Sequence, residues 1–108
     1  MSNIAYEHLT TAILLRKLVR AGPRLASEPH GGGNNWIGDW WRQLSDTGRV
    51  THYKSLNLAC HYVDLRNGVI PSHTFDDGPN HGELSRLESA MHDAATAASA
   101  ACASPSVA

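Results

Sequence analysis

The amino-acid sequence predicts an all-α protein, a small bundle of about four helices joined by two long loops. Three observations predict it. Apolar residues recur at helical spacing in successive stretches of the chain. The one stretch open to a strand reading, 51–67, fits a 3.6-residue period and not strict alternation. Segments rich in glycine and proline separate the periodic runs. The 108 residues, 42% of them hydrophobic, suit one compact domain and not two. That domain is placed at residues 1–103, with 104–108 a frayed tail.

The first helix is capped by Ser2 or Asn3 and runs to about Ala21. His8, Ala12, Leu15, Leu18 and Val19 form its apolar stripe. Arg16, Lys17 and Arg20 gather on the other side, and Gly22-Pro23 ends the run. Residues 22–35, "GPRLASEPHGGGNN", are expected to be a loop, flexible at its glycine-rich end. A short helix follows from Trp36 to Leu44, capped by Asn34 or Asn35, with Ile37, Trp40, Trp41 and Leu44 on one face. "SDTGR" is expected to be a turn. The third helix spans 51–67, with Leu56, Ala59, Cys60 and Val63 as its stripe and Gly68 beyond its end. "VIPSHTFDDGPNHG" is the second long loop. The last helix starts between Asn80 and Glu83. Its stripe is Leu84, Leu87, Met91, Ala94 and Ala98, its alanine-rich end continues the helix, and Ser104-Pro105 stops it.

Charge narrows the partners. Nine Lys plus Arg against ten Asp plus Glu give a formal charge of −1, whereas domains that live by neutralising phosphates are usually strongly basic. The two cysteines, Cys60 and Cys102, lack the spacing of a zinc site or a disulfide framework and are read as reduced thiols. The start "MSNIAYEHL" lacks the charged head and apolar run of a secretory signal, and no stretch approaches the ~18 apolar residues of a membrane span. A cytoplasmic, intracellular protein with no membrane partner is the expectation.

Three features carry chemistry. All three tryptophans fall within "WIGDWW". Trp40 and Trp41 are read as core anchors and Trp36 as the residue that closes the preceding loop. An indole left partly exposed suits a protein interface, where Trp is enriched among the residues that dominate affinity. Trp36 and Trp40, with Arg16, Lys17 and Arg20, are the candidate partner-binding residues. "GGGNN" ahead of a helix offers backbone N–H groups to an anion, but it lacks the Lys-Ser/Thr of a phosphate loop and a preceding strand, so a flexible connector is the better reading. The third feature is a set of histidines and acids: His61 and Asp64 at i, i+3 on the third helix, Glu88 and His92 at i, i+4 on the last, and Asp77 between. Were the two helices side by side, His61, Asp64, Asp77, Glu88 and His92 could hold a divalent ion or move protons. As solvent-facing neighbours, such pairs are worth little. His52, nearer the apolar side, is read as a hydrogen-bonded core histidine.

"NNW" with a further Trp, then "HYVDLRNG", then "DDG" and a later histidine in an alanine-rich helix together resemble small helical phage-type dATP/dGTP diphosphohydrolase domains. These are similar in outline to MazG-type all-α nucleotide pyrophosphohydrolases. The resemblance spans residues 34–98 and implies a Mg2+-dependent hydrolase with His61, Asp77 and His92 at corresponding positions. The chain departs from that pattern in having no Glu-x-x-Glu pair.

The first functional reading is therefore a small binding or accessory protein that docks a protein partner, of the kind a phage or virus uses to inhibit a host factor. It needs no cofactor. The second is a metal-dependent nucleotide pyrophosphohydrolase, the one reading that requires Mg2+. The third is an RNA- or DNA-binding protein working from the first helix. A homo-oligomer is compatible with all three, since an amphipathic helix in so short a chain can need a neighbour.

Overall fold

The computed structural model of the chain describes residues 4–27, 32–67 and 81–103, and those residues form an all-α bundle with no strand among them. In chain order they are α1 (Ile4–Ala21), a 3-10 helix (Gly22–Ser27), α2 (Gly32–Gln43), α3 (Asp46–Thr51), α4 (Tyr53–Arg66) and α5 (His81–Ala103). α1 is the central pillar. It touches every other element and packs most extensively along α5, while α2 and α4 lean on each other beside it.

Helical period decides which face of α1 turns inward. Thr11, Leu14, Leu15 and Leu18 are buried, at i, i+3, i+4 and i+7, and Arg16, Lys17 and Arg20 stand exposed opposite them. Gly22 ends the helix in the left-handed region, at φ +47°, a conformation an L side chain rarely adopts. The core is completed by Leu25, Ile37, Trp40, Leu44, Ala59, Tyr62, Val63, Leu87, Met91, Ala95 and Ala98. α5 buries Ala95 and leaves the expected Ala94 half-covered, and α4 buries Tyr62 and Ser55 while Leu56 and Cys60 are only partly covered.

Two expected connections are corrected. Residues 22–27 of the first loop form the 3-10 helix, and α2 begins at Gly32, not after the asparagines. Gly33 is therefore no flexible connector. It is buried, and a Cβ built on it would stand 2.7 Å from Val63 Cγ2 and 3.2 Å from Leu25 Cδ2, so its missing side chain lets α2 close on α4. "SDTGR" is not a turn either. Ser45 caps α3 by accepting the Gly48 N–H at 3.0 Å, so a fifth, short α-helix joins the four long ones among the described residues. The second long loop, 68–80, and the tail, 104–108, lie outside the described residues.

What fixes α3 is a buried acid. Glu7 is 5% exposed. Its Oε1 accepts the Ser45 hydroxyl at 2.9 Å and its Oε2 accepts the Ser45 N–H at 3.2 Å. Gly48 sits where any Cβ would run into that carboxylate. The neighbouring turn of α1 is equally occupied: Thr11 donates to the Glu7 carbonyl at 2.7 Å and accepts the Trp40 indole N–H at 2.9 Å. Beside them His8 Nδ1 and His52 Nε2 meet at 3.0 Å, and His52 is buried, as the sequence led us to expect. Among the described residues no buried side-chain nitrogen or oxygen is left without a hydrogen-bond partner.

Candidate functional site

The candidate docking residues divide. Trp40 belongs to the core: it is 5% exposed, its indole N–H is held by Thr11, and its ring tilts against Trp41 at 5.6 Å. This is the place its reading as a core anchor gave it, and it presents little surface. Trp41 is half-buried, with the Arg49 guanidinium 5.5 Å from its ring centre and Arg49 Nε donating to its carbonyl.

Trp36, Lys17 and Arg20 do come together. Gly22 turns the chain out of α1 and the 3-10 helix brings Arg24 beside the last turn of α1; α2, seated on α4 through Gly33, delivers Trp36 to the same place. Lys17, Arg20, Ala21, Arg24 and Trp36 line a recess of about 240 Å³. The Lys17 ammonium lies 4.2 Å from the centre of the Trp36 ring, a cation–π contact that holds the half-buried indole face toward charge. Among the described residues no acidic side chain lines the recess, and Arg16, Lys17 and Arg20 have no ion-pair partner.

Arg24 was not singled out in the sequence because it stands in what looks like a loop. The signal was present as charge spacing: four of the nine basic residues fall between positions 16 and 24, and no Asp or Glu occurs between Glu7 and Glu28. Arg20 also borders a second recess, of about 320 Å³, shared with Leu15, Arg16, Val19, Met91 and His92 between α1 and α5.

The histidine and acid set is dispersed. His61 Nε2 lies 2.8 Å from Glu83 Oε2, and Glu83 Oε1 also takes Arg86 at 2.8 Å. Glu88 Oε2 accepts the Tyr62 hydroxyl at 2.7 Å and Arg66 Nη2 at 2.9 Å, while Arg66 Nε donates to the same hydroxyl at 3.1 Å. Burial, then the Glu88 bond, pushes the Tyr62 phenol up, against the opposing pull of Arg66. Asp64 acts electrostatically on Cys60, whose thiol is pushed up by burial and secondarily by that acid, so it has little thiolate character. Both cysteines are unpaired thiols. His92 faces the α1 side, in the recess with Arg16 and Arg20, whereas His61 faces a groove of about 460 Å³ with Lys54, Asn57, Leu58 and Leu87. Among the described residues no three His, Cys, Asp or Glu side chains gather as metal ligands. Asp77 lies outside the described residues.

The arrangement defines a class: a helical bundle whose buried polar side chains, among the described residues, are hydrogen-bonded, and whose Lys17, Arg20 and Arg24 gather beside one indole. No helix among the described residues is long and apolar enough to cross a membrane. No family model, curated protein or solved structure matches the chain.

Proposed function

We propose that the protein is a small binding protein that docks an acidic segment of a partner protein in the recess of Lys17, Arg20, Arg24 and Trp36. One observation carries the reading. Three separate elements, α1, the 3-10 helix and α2, converge to place basic side chains and one tryptophan in a single hollow, where Lys17 and Arg20 have no ion-pair partner among the described residues. Guanidinium groups pair with carboxylates in bidentate fashion, and a Trp beside them supplies apolar contact area at small entropic cost. The net charge of −1 supports a local electrostatic contact with protein over the long basic track of a nucleic-acid binder. A partner whose acidic surface is covered in this way is inhibited by occlusion, which is the accessory role this reading assigns.

The test is capture from the native host with the full chain and with Trp36→Ala/Arg20→Glu. The expected result is a partner retained by the wild type, lost from the variant, and released by raised salt, while the circular-dichroism spectra superimpose. If the variant retains every interaction, the reading fails.

A further inference from the structure

The outer face of α1 extends beyond that recess. At 3.6 residues per turn, Tyr6, Leu9, Ile13, Arg16, Lys17 and Arg20 share one arc of the helix, opposite Thr11, Leu14, Leu15 and Leu18. Tyr6, Leu9 and Ile13 are 53%, 41% and 54% exposed. Leu9 and Ile13 keep that exposure although α1 is in contact with every other element of the described bundle. The face is thus sorted lengthwise, large and apolar over its first two turns and wholly basic over its last, across about 21 Å.

We infer that this face takes an amphipathic helix of the partner, with apolar side chains over Tyr6, Leu9 and Ile13 and carboxylates at the end that meets Arg16, Lys17 and Arg20. The inference rests on the docking reading above and names the occupant. Charge complementarity selects it, because the basic end has no acid of its own chain among the described residues. Lengthwise sorting separates it from a membrane surface, which favours helices with basic residues flanking the apolar stripe along its whole length. It also disfavours a second copy of α1, whose outer face carries no carboxylate to answer Arg16 or Arg20; the one acid of α1, Glu7, is buried. A helix laid along another helix buries its i, i+3 and i+7 side chains, and Tyr6, Leu9 and Ile13 follow nearly that spacing.

The experiment uses the full chain and two fluorescein-labelled 18-residue helical peptides, read by anisotropy. One has a leucine stripe over its first half and glutamates over its second; the other carries glutamates on both halves. The amphipathic peptide is expected to bind about tenfold tighter than the all-acidic one, and Ile13→Asp and Arg16→Glu/Arg20→Glu are each expected to weaken it about tenfold. Leu9→Gln serves as a second apolar variant, and matching circular-dichroism spectra establish folding for all. Equal affinity for the two peptides overturns this inference and leaves the recess reading standing. Binding of neither overturns both. Retention on phosphatidylserine vesicles sensitive to Ile13→Asp, without peptide binding, overturns it in favour of a membrane surface, and concentration-dependent self-association lost in the same variant overturns it in favour of a second copy.

Discussion

Glu7, in the first turn of α1, and Arg20, in its last turn, carry opposite charges on one helix and are handled in opposite ways. Glu7 is 5% exposed, and both of its carboxylate oxygens are taken by Ser45. Arg20 is exposed, has no acid partner among the described residues, and borders two recesses. Around Glu7 the polar groups close on one another: Thr11 with Trp40, His8 with His52, Ser45 with Gly48. Around Arg20, Arg16 and Lys17 stand exposed with no ion-pair partner among the described residues. A buried polar group without a partner costs more than a bond gains, so internal closure is the signature of a group kept for folding. Like charges left crowded at the surface contribute nothing to folding.

The sharpest way to break this comparison is at Glu7. Glu7→Ala removes both acceptors of Ser45 and with them the support of the α3 cap, at an expected cost of about 3 kcal/mol in urea unfolding. A loss below about 1 kcal/mol would mean that the buried acid is incidental.

Gly33 offers a test of sign. In an exposed helical position Gly→Ala gains about 1 kcal/mol. Here the added methyl meets Val63 at 2.7 Å, so Gly33→Ala is expected to lose about 2 kcal/mol by overpacking, with part recovered in Gly33→Ala/Val63→Ala. Stabilisation by Gly33→Ala alone would return "GGG" to the status of a connector.

Trp40 and Trp36 should separate stability from binding. Trp40→Phe removes the indole N–H that the Thr11 hydroxyl accepts and opens space in the core, for an expected loss of about 2 kcal/mol with partner binding kept. Trp36→Ala is expected to cost less than about 1 kcal/mol while binding falls. The reverse pattern would exchange the roles of the two indoles.

These positions also show what could be read from sequence. α1 was legible nearly to the residue, because a long apolar period with a stop signal at its end, Gly22-Pro23, is local information, and the stripe of α5 was legible for the same reason. The start of α2 and the whole of α3 were not, because their causes are distant. Gly33 is helical and buried because Val63 and Leu25 lie against it, and Ser45 becomes a cap under an acid 38 residues away. The site was half legible. Lys17, Arg20 and Trp36 were identifiable by residue type, yet their meeting with Arg24 depends on a 3-10 helix that looks like loop. The face of Ile37, Trp40 and Leu44 was clear, but which indole would turn outward was decided by Thr11, on another helix. His61 and His92 could be placed on polar faces, whereas the packing of α4 and α5 that puts them in different recesses could not.

The His8–His52 contact gives a smaller, pH-dependent effect. Burial, with His8 beside it, holds the His52 imidazole below its ordinary value, against a weaker pull upward from Glu7. The unfolded chain then takes up the proton more readily than the folded one. Stability is therefore present above the ordinary histidine value of about 6.5, is lost as pH falls through it, and stops falling once pH is below the folded value. Thermal midpoints between pH 7.5 and 5 should drop for the wild type and drop less for His52→Gln. Equal slopes would show that the pair does not sense pH.

The smallest expected effect on folding is at the basic end, and its smallness is informative. Arg16, Lys17 and Arg20 crowd like charges along one face, and like charges at helical spacing oppose each other by a few tenths of a kcal/mol. Arg20→Gln should therefore leave the thermal midpoint unchanged or raise it by about a degree, while weakening the capture of an acidic partner. A chain that keeps a mildly unfavourable cluster on its central helix, beside an indole already held by Lys17, gains nothing in its own stability from doing so. If Arg20→Gln instead lowered the midpoint as much as the Glu7 variant, the guanidinium would be a structural group with an internal partner, and the contrast between the two ends of α1 would disappear.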